Sequence, residues 1–182
     1  MSKKVLRLHG WGGSDAPHWQ AWLASEIAKE YGKVSFLKFS DYDFPSLDVW
    51  KKELKEELEE FKPDIVICHS LANTLWFHLC SDADMQEIQK LYLVAPPSLS
   101  CDIAELKSFF PLEVPKNLYA KDTILVTSTT DPYLTVTEAK ELQVSLDVDM
   151  EVLSDAGHIN ADSGFGKWAW ILEKIKGDMK CK

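Results

Sequence analysis

Short apolar runs alternate with longer helical stripes from one end of the chain to the other, the pattern of a parallel sheet with helices on its faces. Six runs are short and rich in β-branched or aromatic residues: Lys4 to His9, Val34 to Phe39, Ile65 to His69, Lys90 to Ala95, Thr123 to Ser128 and Asp149 to Leu153. Ile65-Val66-Ile67-Cys68 and Leu91-Tyr92-Leu93-Val94-Ala95 are apolar at every position. A strand covered on both faces needs such a run, so these two are predicted to be central.

Between the runs lie stripes at helical spacing. Leu47, Trp50, Leu54, Leu58 and Phe61 share one face, with Lys51, Lys52, Glu56, Glu57 and Glu60 on the other. Trp19, Trp22, Leu23, Ile27 and Tyr31 form a second stripe, with Ser14 or Asp15 as its expected cap and Pro17 near its first turn. Trp168, Ile171, Leu172 and Ile175 form a third. All three read as core packing. With no linker, repeat or low-complexity tract, residues 1–182 are expected to fold as one domain. The least regular stretch, 96–121, carries Pro96, Pro97, Pro111 and Pro115 with Phe109 and Phe110. It leaves a central strand and is expected to form a lid or one wall of a pocket.

Composition narrows the function. With 46% hydrophobic residues the 182-residue chain can build a full core, and its net charge of −9 disfavours a nucleic-acid partner. No run approaches the roughly 18 apolar residues of a membrane span, and the N-terminal stretch before Gly10 is too broken for a signal peptide. Cys68, Cys80, Cys101 and Cys181 lack the spacing of a zinc cluster or a disulfide framework, so a reduced, cytoplasmic setting is expected.

Open α/β sheets bind ligands beyond the carboxyl ends of their strands. The residues there form a coherent set: His9-Gly10-Trp11-Gly12-Gly13-Ser14, then Ser70, then Asp131-Pro132-Tyr133, then Gly157-His158. Ser70 follows an all-apolar strand and opens the helical stretch Leu71-Ala72-Asn73-Thr74-Leu75-Trp76. That is the arrangement of a nucleophile elbow, with the Leu71 N–H placed to meet an oxyanion; taken alone, Ser70 reads rather as the N-cap serine of an ordinary helix start. The elbow pattern Gly-x-Ser-x-Gly appears here as Cys68-His69-Ser70-Leu71-Ala72, both glycines replaced by the next smallest residues.

His158, late in the chain and preceded by a turn-permitting Gly157, is the candidate base. Asp131, held extended by Pro132, is the candidate acid, with Asp102 as runner-up. His69 should face away from Ser70 because neighbours at a strand end alternate. His18 and His78 read as structural, and His9 as a structural or pocket-wall residue. The Gly10 to Gly13 turn is expected to supply a second oxyanion donor, the Trp11 N–H. A phosphate loop is excluded because no Gly-Lys-Ser/Thr and no full Gly-x-Gly-x-x-Gly is present, and His158 with Asp155 or Asp162 lacks a zinc spacing. No metal or cofactor is expected.

With these residues assembled, the chain resembles the small serine hydrolases of the retinoblastoma-binding-protein-9 and YdeN-like family, within the α/β-hydrolase superfamily. The resemblance is carried by His9-Gly10-Trp11 with His18-Trp19, by His69-Ser70-Leu71, Val94-Ala95-Pro96 and Asp131-Pro132-Tyr133, and above all by Gly157-His158-Ile159-Asn160-Ala161-Asp162-Ser163-Gly164-Phe165-Gly166 with Trp168. It implies Ser70 as nucleophile, Asp131 as acid and His158 as base. It also implies a single three-layer α/β/α domain with six parallel strands in the order 2-1-3-4-5-6. The chain departs from that family at Cys68 and Ala72.

The expected function is hydrolysis of a small ester, thioester or amide through an acyl-enzyme, with a small-molecule acyl substrate as the partner. His9, Gly10, Trp11, Phe109, Phe110 and Tyr133 are the expected substrate contacts. The alternative is a binding protein on a hydrolase scaffold that has lost efficient catalysis.

Overall fold

The computed structural model describes residues 3–30, 32–82 and 85–180. Tyr31, expected at the end of the second stripe, and Cys181 lie outside the described residues. Six strands, β1 (Lys4–Leu8), β2 (Lys33–Leu37), β3 (Ile65–His69), β4 (Ile88–Val94), β5 (Ala120–Ser128) and β6 (Asp149–Leu153), form one all-parallel sheet in the order β2-β1-β3-β4-β5-β6. The reversal of strand order falls between β1 and β3, so the crevice where ligands bind in such sheets opens beside the end of β3.

Alternation along the strands divides the core in two. Leu6, Leu8, Val66, Cys68, Leu91 and Leu93 face α2 (Leu47–Phe61) and α3 (Leu71–Ser81). Val5, Ile65, Ile67, Tyr92 and Val94 face α1 (Trp19–Glu30) and α5 (Ala169–Lys180). All five residues of β3 are buried, as its unbroken apolar run requires.

The strands begin and end where local chemistry dictates. β4 and β5 start earlier than their apolar runs, because Lys90 and Asp122 stand opposite each other in the ladder and pair at 2.6 Å. β2 stops at Leu37 because the Phe39 N–H leaves the ladder and donates to His9 Nε2 at 2.9 Å. α4 (Val136–Leu146) does not declare itself by an apolar stripe, since Val136 and Val144 are exposed. Its signal is the capping box in which the Thr135 hydroxyl accepts from the Glu138 N–H while the Glu138 carboxylate receives the Thr135 N–H.

Two expectations are corrected at helix starts. α1 is capped by neither Ser14 nor Asp15: Ser14 Oγ accepts from buried Arg7, Asp15 pairs with Lys38, and His18 Nδ1 accepts the Gln20 N–H at 3.1 Å. Trp168 lies just ahead of α5, edge-on to Trp19. The 96–121 stretch contains a 3₁₀ turn (Ala104–Phe109) whose Leu106 and Phe109 are buried.

Candidate active site

Ser70 lies in the sharp reversal from β3 into α3, with φ 55° and ψ −124°. A non-glycine residue adopts a left-handed φ only when its surroundings enforce it. The Ser70 N–H donates to Val94 O at 3.0 Å, and the Asn73 carboxamide donates to Ser70 O at 2.8 Å and Val94 O at 2.9 Å. One buried amide therefore ties the elbow to the end of β4. From the other side Gly10 presses in: a Cβ there would lie 2.7 Å from Ser70 Cβ and 3.1 Å from Leu71 N. Cys68 and Ala72 are fully buried on the α2/α3 side, where their small side chains fit between strand and helix.

The Ser70 hydroxyl donates to His158 Nε2 at 2.8 Å, and His158 Nδ1–H donates to both Asp131 carboxylate oxygens at 3.0 Å. Asp131 is oriented by the Tyr133 N–H at 2.9 Å, and its carboxylate is almost wholly buried. The structure thus brings together Ser70, His158 and Asp131, from the ends of three different strands. Asp102 is exposed and makes no bond to His158.

The loop carrying His158 is fastened to the β5 loop by hydroxyls. Asp155 N–H, Ala156 N–H and Gly157 N–H donate to Thr129 Oγ1, Ser128 Oγ and Thr130 Oγ1 at 2.9, 3.0 and 3.1 Å. Beyond the turn, His158 N–H donates to Ser163 Oγ, whose hydroxyl donates to Asn160 Oδ1. Gly157 (φ +53°) must remain glycine, because a Cβ there would collide with Ser163 Oγ.

Beneath His158 lies a cluster of imidazoles. His69 turns away from the Ser70 hydroxyl, as alternation predicts, and its Nε2–H donates to the His158 carbonyl at 3.1 Å. Its ring sits 5.3 Å from that of His158 and 4.9 Å from that of His18. Burial pushes His69 far below the usual histidine range; burial, then the Arg7 and His158 charges, push His18 down to about 3. Both are neutral across the ordinary pH range. His9 is likewise lowered by burial.

A cavity of about 410 Å³ opens over Ser70. Trp11, Leu71 and Tyr133 line it as expected; the Tyr133 ring lies 4.6 Å edge-on from His158. The Leu71 N–H is the first donor of α3, and neither it nor the Trp11 N–H has an acceptor among the described residues. Four expected substrate contacts are placed elsewhere. His9 is buried among Phe39, Tyr42 and Trp50, with Nδ1–H donating to Gly10 O and Nε2 accepting from Phe39. Gly10 provides clearance beside Ser70. Phe109 packs edge-on to Trp50, and Phe110 is half-buried against the same core. The 3₁₀ turn sends Phe109 inward, while Pro97, Cys101, Ile103 and Leu106 of the same segment line the cavity. Sequence reasoning missed His18 and Asn160 at the cavity wall; the caps and loop bonds that put them there leave no periodic trace. Among the described residues, no group of three or more His, Cys, Asp or Glu could hold a metal ion. No helix among them is long and apolar enough to cross a membrane.

Comparison with known proteins agrees with this architecture. A family model described as serine hydrolase matches residues 5–176. The fold is similar to that of a YdeN-like hydrolase from Pectobacterium atrosepticum (23% identity, 97% of this chain and 90% of that one, TM-score 0.77) and to the ydeN gene product of B. subtilis (18%, 97% and 98%, TM-score 0.84). An esterase from Pyrococcus furiosus is also similar (20%, 97% and 80%, TM-score 0.62). At these identities the likeness establishes the α/β-hydrolase fold. Comparison with curated protein sequences finds no match.

The buried histidines make stability pH-dependent. His9, His18 and His69 resist protonation in the folded chain but take up protons near pH 6.5 when unfolded. The unfolded state then binds more protons, so stability falls as pH drops below about 6.5, by up to about 1.4 kcal/mol per pH unit for a histidine that stays neutral in the fold; for His18 the loss continues to about 3. Urea unfolding at pH 7.5 and 5.5 should show a loss of at least about 2 kcal/mol at the lower pH. Equal stability at the two values would mean that these imidazoles protonate in place.

Proposed function

The chain belongs to the serine hydrolase family, and on that premise we propose that it is a carboxylesterase-like acyl hydrolase working through an acyl-enzyme on Ser70. The observation that carries the reading is the unbroken series of hydrogen bonds from Asp131 through His158 to Ser70. Asp131 holds Nδ1 protonated, which leaves the Nε2 lone pair for the Ser70 proton. Oγ attacks the substrate carbonyl as that proton passes to Nε2. The tetrahedral oxyanion is met by the Leu71 and Trp11 N–H groups, and donors of this kind are each worth about 10²- to 10³-fold in rate. The imidazolium gives its proton to the departing alcohol, leaving Ser70 acylated. A water then repeats the sequence, releasing the acid and restoring Ser70.

Esters are the first substrates in this reading, with thioesters or amides as further acyl donors; the cavity's size suits a small molecule. No cofactor enters any step. The free thiols of Cys68 and Cys80, held protonated by burial, support a reduced, cytoplasmic setting. The altered elbow favours a binding protein, the other reading, only if Cys68 and Ala72 displace Ser70, and the 2.8 Å contact with His158 argues against displacement.

Four substitutions test the assignment. Ser70→Ala should abolish labelling by a fluorophosphonate and reduce ester turnover to the residue left by the oxyanion donors; wild-type turnover would make Ser70 a mere helix cap. Asp131→Asn should lower turnover roughly 10⁴-fold through the wrong His158 tautomer, whereas Asp102→Asn should leave it unchanged; the reverse ranking would move the acid. Gly10→Ala should cost about 10²-fold in kcat/KM, since a shift of about 1 Å at the elbow misaligns the attack. An unaltered rate in that variant would show that the loop after β1 yields freely.

A further inference from the structure

The cavity is divided in its chemistry. Among its lining residues Leu71, Pro97, Ile103 and Leu106 are apolar, whereas Ser14, Asp15, His18, Asn160 and Asp162 are polar; of these, Asn160 and Asp162 follow His158 in the chain, and the His18 and His158 rings both lie against His69. In the hydrolase reading on which this inference rests, His158 protonates the departing oxygen, so the alcohol part of the substrate lies on the polar side and the acyl chain on the apolar side.

Two groups on the polar side are fixed as donors by their other contacts. His18 Nδ1 accepts the Gln20 N–H, so in the neutral ring Nε2 carries the hydrogen; that Nε2 is buried and has no partner. Asn160 Oδ1 accepts from both the N–H and the hydroxyl of Ser163, at 3.0 and 2.8 Å. Its Nδ2 is thereby left as the donor, with no acceptor among the described residues. A buried donor without a partner is destabilising, and a ligand atom in the adjoining cavity would complete it. The Asp162 carboxylate, exposed at the same wall, forms no ion pair among the described residues and supplies an acceptor.

A group meeting both donors and acceptors must accept and donate. A carboxylate on the alcohol would face the Asp162 carboxylate, and an ammonium would face the His18 and Asn160 N–H groups. A hydroxyl satisfies both kinds of wall group. We propose that this wall is a subsite for a free hydroxyl on the leaving alcohol, so that the substrates are small esters of polyhydroxy alcohols. At about 410 Å³ the cavity lies in the lower range of small-molecule sites and limits the acyl chain to a short one.

The test is a ratio of kcat/KM for two esters of one acid, glyceryl monobutyrate and propyl butyrate, which differ only in the hydroxyls. The wild-type chain should prefer the glyceryl ester by about tenfold or more, because a site built to bond a hydroxyl rejects the analogue that lacks it. His18→Asn keeps a carbonyl oxygen near the position that caps Gln20 but has no donor in place of Nε2, and should bring the ratio toward one. His18→Gln places an amide nitrogen near the Nε2 position and should keep part of the preference. Asp162→Ala, at an exposed position, probes the same wall without disturbing the core and should lower the ratio about two- to threefold. If His18 is only a helix cap, its variants will slow both esters alike and leave the ratio unchanged, which overturns the subsite. Fluorophosphonate labelling of Ser70 in the same preparation separates the two layers. A labelled wild-type enzyme with a ratio near one overturns the subsite alone; an unlabelled one that turns over neither ester overturns the hydrolase reading and the subsite together.

Discussion

Everything in the site depends on one strained residue, Ser70, held at a left-handed φ where β3 turns into α3. Such a conformation costs on the order of 1–3 kcal/mol and persists only where its surroundings over-determine it. Here the determinants come from three directions: the ladder bond to Val94, the Asn73 carboxamide bridging Ser70 and Val94, and the bare backbone of Gly10 against the Ser70 side chain. The same turn that lifts the hydroxyl toward His158 also exposes the first N–H of α3. In the proposed reaction, nucleophile and oxyanion donor are thus products of a single backbone reversal.

The remaining parts reach Ser70 along the sheet edge. Asp131 and His158 come from loops fastened together by the Ser128, Thr129 and Thr130 hydroxyls, which take up the amides of the His158 loop. Under His158, His69 bonds the His158 backbone to the strand that leads into Ser70. Because both are held neutral by burial, His69 packs against His158, and His18 against His69, without adding a charge that would oppose an imidazolium in the proposed acyl transfer. The cost of keeping them neutral is felt at acid pH, where the unfolded chain takes up the protons that the folded one refuses.

Much of this was legible from residue patterns. The runs at β3 and β4 declared their central places because burial on both faces admits only apolar side chains. Ser70, Asp131 and His158 were legible because strand ends are where this architecture collects chemistry, and the long block after Gly157 carried the family resemblance. What was hidden depends on hydrogen bonds rather than periodicity. The cap on α1 is the His18 ring, a function its residue type does not advertise, and α4 is announced by Thr135 and Glu138 rather than by a stripe. Phe109 and Phe110 looked like pocket walls because they are aromatic and follow a strand. A 3₁₀ turn sends Phe109 inward to Trp50 and gives the cavity to Ile103 and Leu106 instead. The missing elbow glycines were also ambiguous in sequence. In the fold, Cys68 and Ala72 lie buried in the α2/α3 layer, and the position that cannot carry a side chain is Gly10, sixty residues away in the chain.

The central claim is that the Ser70 reversal delivers a nucleophile and its oxyanion donors together. It is tested most directly by a crystal structure of the chain after reaction with a fluorophosphonate. The account predicts phosphorus bonded to Ser70 Oγ and a phosphoryl oxygen within about 3 Å of both Leu71 N and Trp11 N, since that oxygen stands where the oxyanion would form. An adduct on another residue, or one on Ser70 whose phosphoryl oxygen faces solvent away from those two N–H groups, would contradict it.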